Sequence, residues 1–248
     1  MTISQMVNCH GSRLATPDGM PPTWTLLQLA GVLAATLVFF RCAPRADRVT
    51  FVAALPFLVV GALGFDWFFE LSAWAVRGAR GPMPGPGGVV AYGALFGFVL
   101  AYVGMTMLRR RDPSVALDAV IAPLLTIVAF GRVGCFFAGC EEGCATHVPW
   151  SVPGHDPTHC VHPVALYEVV AALIALAVSR SVRRERFAAG AITYGALRIV
   201  VELFRAHEGL VSAGQWTSVF VIGGALAWLT RGRPIERRFT VDAAPRPH

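Results

Sequence analysis

The chain has 248 residues, of which 55% are hydrophobic and only 15% charged, with a formal net charge of +6 and a mean hydropathy of +0.57. Such a composition excludes an ordinary water-soluble domain and points to an all-α integral membrane protein. All 21 basic residues are arginine, which excludes a lysine Schiff base and a lysine phosphate clamp, and their placement along the chain accounts for the charge without a nucleic-acid partner.

A window of about 19 residues finds seven apolar stretches, at 23–41, 50–72, 88–108, 115–137, 163–181, 188–205 and 215–230. The first 22 residues lack the charged, apolar, small-residue order of a cleaved signal, so the first span is expected to stay in the protein. Arginines then cluster on alternate loops. Arg41, Arg45 and Arg48, Arg109 to Arg111, Arg180 to Arg186, and Arg231 to Arg246 place 15 on one side, against Arg13, Arg77 and Arg80 on the other. The positive-inside rule makes the arginine-rich face cytoplasmic, with the N-terminus outside and the C-terminus inside. Residues 1–230 are expected to form one membrane domain and 231–248 a basic cytoplasmic tail.

Two loops on the outer face stand apart. Gly81 to Gly88 is a run of glycine, proline and one methionine that no helix tolerates. The loop at 138–162 has no basic residue but carries Cys140, Cys144, Cys160, His147, His155, His159 and His162. A disulfide between two of Cys140, Cys144 and Cys160 suits that compartment. The same sulfurs and imidazoles admit a metal site, although their spacing matches no standard zinc pattern. A thiol at Cys135 or Cys140 activated by Arg132 is a third reading. Cys9 and Cys42 have no evident role.

Charges within apolar segments mark functional sites. Tyr194, Arg198, Glu202 and Arg205 are spaced by four, four and three, which puts them on one helix face and lets Glu202 pair with the arginines. Read alone, that is either a structural ion pair or part of a site. A further arginine, Arg132, lies between Gly131 and Gly134 and has no acidic neighbour on its own face. Two guanidiniums, Arg132 and Arg198, suit a phosphate, which each grips by paired charge-assisted hydrogen bonds.

Three motifs in register carry a resemblance. Gly131-Arg132-Val133-Gly134-Cys135-Phe136-Phe137-Ala138-Gly139-Cys140-Glu141-Glu142-Gly143 is similar to the Gly-Arg-x-Gly-Asn-Phe-x-Asn-Gly-Glu-x-x-Gly signature of prolipoprotein diacylglyceryl transferases. His162-Pro163-Val164-Ala165-Leu166-Tyr167-Glu168 resembles their His-Pro-x-x-Leu-Tyr-Glu run, and Tyr194-Gly195-Ala196-Leu197-Arg198 with Glu202 and Arg205 resembles their Tyr-Gly-x-x-Arg-x-x-x-Glu-x-x-Arg helix. Asp118 to Pro123 is similar to an Asp-x-x-Ala-Pro run of the same family. The likeness runs from about Gly88 to Trp228.

The resemblance implies a multi-pass enzyme of the bacterial cytoplasmic membrane. It would move the diacylglyceryl group of phosphatidylglycerol to the thiol of a lipobox-containing preprolipoprotein, with no metal or organic cofactor. The catalytic candidates are Arg132, Arg198 and His162 by the resemblance, Tyr92 at the position of the family's candidate base, and Cys140 by its thiol chemistry; the candidates for substrate binding are Arg132, Cys135, Gly143, Tyr167, Tyr194, Arg198, Glu202 and Arg205. Departures are equally specific. The family's His-Gly-Gly-Leu motif is here Tyr92-Gly93-Ala94-Leu95, and the signature's asparagine and glutamate are Cys135 and Cys140. The family's first-span tyrosine is absent where Leu26, Leu27 and Gln28 stand, and its second-span arginine is absent from apolar Gly61-Ala62-Leu63-Gly64. A tyrosine of pKa about 10 is a poor base at neutral pH. The pattern describes a divergent paralogue acting on phosphatidylglycerol or a related phospholipid with that or another thiol acceptor. The alternatives are a non-catalytic phospholipid- or partner-binding membrane protein, or a thiol- or metal-dependent redox protein built on the outer loop.

Overall fold

The computed structural model describes residues 22–43, 45–76, 78–79, 91–140, 142–154, 158–206 and 213–230. The Gly81 to Gly88 loop, Cys9, His155, the tail at 231–248 and the side chains of Cys42 and Tyr92 lie outside the described residues. Among the described residues, eight helices and two short strands follow in the order α1 Pro22–Cys42, α2 Arg45–Ala54, α3 Pro56–Val76, α4 Ala91–Leu108, α5 Pro113–Ala138, β1 Val152–Pro153, β2 Cys160–Val161, α6 Val164–Ser181, α7 Arg186–Glu202 and α8 Ala213–Thr230.

Each of the seven apolar stretches holds a helix among its described residues, but the second is divided at Leu55, just ahead of Pro56, whose ring and missing N–H interrupt the hydrogen-bond ladder. Among the described residues, four helical segments are long and apolar enough to cross a membrane: Thr23–Arg41, Asp47–Ser72, Pro113–Ala138 and Val164–Ser181. Gly93–Leu108 is a shorter apolar helix. The chain is a helical, multi-pass membrane protein.

Two compact units divide the chain, one comprising Met1–Ala35 with Ile121–His248, the other Thr36–Val120. The second is built on buried aromatics: Phe39 stacks on Phe51 with ring centroids 4.1 Å apart, and Phe98 lies parallel to Tyr102. In the same unit Arg109 donates to the Thr50 hydroxyl at 2.8 Å and Arg111 pairs with Asp47.

The first unit holds the charged motifs. Small residues let its helices approach closely, as in other lipid-embedded bundles: Ala171, Ala172 and Ala175 on α6 and Ala188 and Ala191 on α7 are all buried. Ile121, Leu125 and Ala175 form an apolar cluster against which Leu176, Phe187 and Tyr194 pack.

Helix α5 has an explicit start and stop. The Asp112 carboxylate accepts from the backbone N–H of Ser114 at 2.8 Å, an N-cap followed by proline at the first helical position. At the other end Gly139 takes φ +64°, the Cys140 N–H donates to Cys135 O and the Gly139 N–H to Phe136 O. That is a Schellman stop, which only a residue tolerant of left-handed backbone makes cheaply.

Beyond this stop the described part of the 138–162 loop forms a small sheet. Ala145 bridges Val161, Gly143 bridges Arg205, and β1 pairs antiparallel with β2. The Cys144 N–H donates to Phe204 O at 2.8 Å and the Ala206 N–H to Glu142 O at 3.0 Å. The segment after α5 is thereby stitched to the end of α7 on one side and to the approach to α6 on the other.

Candidate functional site

Helix α6 opens after His162-Pro163, and Glu168 follows on its second turn with no exposed surface. Burying a carboxylate is costly unless it is paired and hydrogen-bonded. Glu168 meets three guanidiniums. Arg132 of α5 and Arg198 of α7 form ion pairs with its two oxygens, and Arg205 donates to Oε1 at 2.6 Å. Glu202 completes the group, with Oε2 at 3.7 Å from Arg198 and Oε1 at 3.5 Å from Arg205.

The expected pairing along α7 is therefore present, but it is secondary. The main partner of all three arginines is Glu168, a residue of the His-Pro-x-x-Leu-Tyr-Glu run to which sequence reasoning gave no role. Its signal was available: an acid near the start of an otherwise acid-free apolar helix demands a partner. Arg205 also differs from expectation, because α7 ends at Glu202 and Arg205 sits one tight turn later, its N–H bonded to Glu202 O.

Arg132, Arg198 and Arg205 thus gather in one cluster around Glu168, with Glu202 alongside two of them. Burial is graded across it. The Arg198 side chain is 3% exposed, Arg132 11% and Arg205 17%. Arg132 and Arg205 thus form the accessible rim, with Arg198 beneath them.

Next to the cluster lies a hydrogen-bonded aromatic group. His162 Nδ1 lies 3.0 Å from the Tyr167 hydroxyl, which accepts from the Trp150 indole N–H at 2.7 Å. The Phe204 ring packs against both His162 and Tyr167, with centroids 5.0 and 5.8 Å away. Trp150 carries no motif signal, and sequence reasoning did not find it. Gly143 is buried against His162. A Cβ there would lie 2.9 Å from both the carbonyl carbon and the Cβ of His162, so no larger residue fits without displacing the strand.

Other expected residues are spread more widely. Tyr194 packs into the apolar cluster of Ile121 and Leu125, one turn from Arg198. Cys135 is half-buried near the end of α5 and Cys140 is exposed just past it. Tyr92 opens α4 in the other unit.

The cysteines of the 138–162 loop do not pair as expected. Cys135, Cys140 and Cys144 are thiols, while Cys160 is in a disulfide whose partner lies outside the described side chains. Register explains the difference. The Ala145 to Val161 bridge sets Thr146 opposite Cys160 and Cys144 opposite His162, and the Cys144 thiol donates to Arg205 O at 3.4 Å. Among the described residues no group of three or more His, Cys, Asp and Glu side chains is gathered as a metal site.

A family model described as prolipoprotein diacylglyceryl transferase matches residues 22–231. The chain belongs to that family. It is 32% identical over 243 residues to the phosphatidylglycerol–prolipoprotein diacylglyceryl transferase of Geobacter sulfurreducens, covering 85% of this chain and 91% of that one. Proteins of the same description from Pseudomonas putida and Cupriavidus necator are each 29% identical, covering 84% and 76% of this chain and 88% and 76% of theirs.

Set on the geometry, the motifs of this diacylglyceryl transferase family member divide by task. Arg132, Glu168, Arg198, Glu202 and Arg205 form the buried charge cluster, Gly139 stops α5, and Gly143 lets the loop close against His162. Cys135 and Cys140, the two thiol substitutions in the signature, flank the Schellman stop.

Proposed function

We propose that this chain transfers the diacylglyceryl group of phosphatidylglycerol, or of a related phospholipid, to an acceptor thiol. The observation that carries the reading is the convergence of Arg132, Arg198 and Arg205 in one largely buried cluster. A phosphodiester is anionic, and planar guanidiniums grip its oxygens through paired hydrogen bonds.

The reaction needs a thiolate to attack the glyceryl carbon as the C–O bond to phosphate breaks. Glycerol phosphate departs with the bonding electrons, and the thiol proton passes to a base. Arg132 and Arg198 stabilise the departing phosphate, a task in which preorganised positive groups act most strongly. Arg205 holds Glu168 and Glu202 at the rim, Tyr167 and Tyr194 contact the lipid, and Cys135, Cys140, Gly143 and His162 line the approach. The acceptor is a lipobox-containing preprolipoprotein or another thiol substrate.

Seven spans with the N-terminus outside and the C-terminus cytoplasmic, in the bacterial inner membrane, complete the reading. Residues 1–230 act as one membrane domain, supported by the single unbroken family match, and 231–248 as a basic tail. Tyr92, Cys135 and Cys140 replace polar groups of the family pattern and support a divergent paralogue. The same replacements favour, as a second reading, a phospholipid-binding protein that has lost turnover.

The test gives purified protein in phosphatidylglycerol vesicles a synthetic lipobox peptide. Release of glycerol phosphate with the matching mass gain on the peptide is the expected result. Lipid binding without release would select the second reading, and absence of both would remove the proposal.

A further inference from the structure

We propose that Trp150 is a positioning residue that fixes the tautomer of His162, making this histidine a hydrogen-bond donor through Nε2–H and not the base that deprotonates the thiol. The inference deepens the transferase reading and rests on it only for the role of the imidazole, not for its tautomer.

The argument is a count of protons. An indole N–H can only donate, so the 2.7 Å bond from Trp150 Nε1 makes the Tyr167 oxygen an acceptor. Tyr167 has one proton of its own to place. Among the described residues the acceptor within reach is His162 Nδ1, 3.0 Å away. If Nδ1 carried a hydrogen instead, two N–H groups would converge on the phenol oxygen and the phenol proton would have no described acceptor. The chain of bonds thus runs from Trp150 to Tyr167 to His162, and it leaves the ring hydrogen on Nε2.

Both imidazole nitrogens are then committed: Nδ1 by the phenol proton it accepts, Nε2 by the hydrogen it bears. A histidine so held offers a donor, and packing against Phe204 fixes where it points. Gly143 bridges Arg205 and packs against His162, so the imidazole lies beside the strand that reaches the arginine cluster. An Nε2–H there suits an oxygen of a phosphoglycerol headgroup. Trp150 touches none of the reacting atoms in this account. It is 61% exposed, so its replacement need not disturb the core.

The experiment is ¹⁵N NMR of histidine-labelled full-length protein in phosphatidylglycerol nanodiscs, with His162 assigned by its loss in His162→Gln. The expected spectrum of the unaltered protein has a pyridine-type Nδ1 and a protonated Nε2 for His162. Trp150→Phe and Tyr167→Phe should each produce a mixture of both tautomers. Trp150→Phe should also lower kcat/KM for phosphatidylglycerol roughly fivefold, the effect of one neutral hydrogen bond, and Trp150→His, which retains a ring N–H, should recover part of it. A protonated Nδ1 in the unaltered protein, or an unchanged tautomer in Trp150→Phe, would overturn the proposal. The tautomer shifts are visible whether or not the protein turns over, so a shift without transfer supports the positioning role while rejecting the transferase reading.

Discussion

Glu168 makes the arginines legible as a unit. Alone, three guanidiniums at this depth would repel one another, and with Glu202 only 3.5 to 3.7 Å from two of them the balance would still be poor. Breaking a buried ion pair by removing one partner typically costs about 3–5 kcal/mol. Glu168→Gln is therefore expected to lower the thermal midpoint of the detergent-solubilised protein by several degrees, and an unchanged midpoint would refute its central place. Arg132→Ala and Arg198→Ala should each weaken phosphatidylglycerol binding by about 1.5–3 kcal/mol. Arg198→Lys should recover only a part, because an ammonium lacks the planar fork that spans Glu168 and Glu202. Vesicle flotation measures these effects, and normal binding by the Arg132→Ala, Arg198→Ala double variant would contradict the phosphate grip. Arg205→Ala should loosen Glu168 as well as Glu202, since its contact with Glu168 is the shorter one.

At the scale of elements, apolar runs located the helical stretches but not the break at Leu55, and the caps of α5 follow from Asp112, Pro113 and Gly139 by local chemistry alone. Gly139→Ala should cost about 1–2 kcal/mol, the penalty of a Cβ in left-handed backbone, and Asp112→Ala about 1 kcal/mol for the lost cap. Both are measurable by thermal unfolding. The outer loop was not readable in this way. Its pairings join residues far apart in sequence, Gly143 with Arg205 and Ala145 with Val161, so no local period announces them. Gly143→Ala should release the strand from His162. The expected sign is faster proteolysis between 142 and 162 with the helices intact, and unaltered proteolysis would show that the strand accommodates the methyl group.

For the whole molecule, the proposed topology makes the outer thiols its reporters. A membrane-impermeant maleimide should label Cys144 in intact cells without reductant and Cys160 only after reduction, because the first is an exposed thiol and the second is in a disulfide. Labelling of Cys144 only after lysis would reverse the orientation. The altered signature makes a second claim at this scale. General-base help contributes about 10²–10⁴-fold, so a chain with Tyr92 in place of the family's histidine should rescue a strain depleted of its own transferase poorly. Tyr92→His, Cys135→Asn, Cys140→Glu combined should do better than Tyr92→His alone. Robust rescue by the unaltered chain, read by lipoprotein mass, would show that the tyrosine and thiols suffice for the ordinary reaction.

Composition and hydropathy by themselves determined the class and the helical segments, since burial in lipid forces the backbone to satisfy its hydrogen bonds within each helix. The arginine motifs determined the family for a related reason: charge in an apolar segment is too costly to occur without a task. Pairing was different. Which carboxylate holds Arg132, which cysteine is oxidised and which ring hydrogen His162 bears each depend on neighbours supplied by another helix or strand. Those choices were left to the tertiary structure, because ion pairs, disulfides and hydrogen-bond chains follow distance in space, and spacing along one element measures only that element's own face.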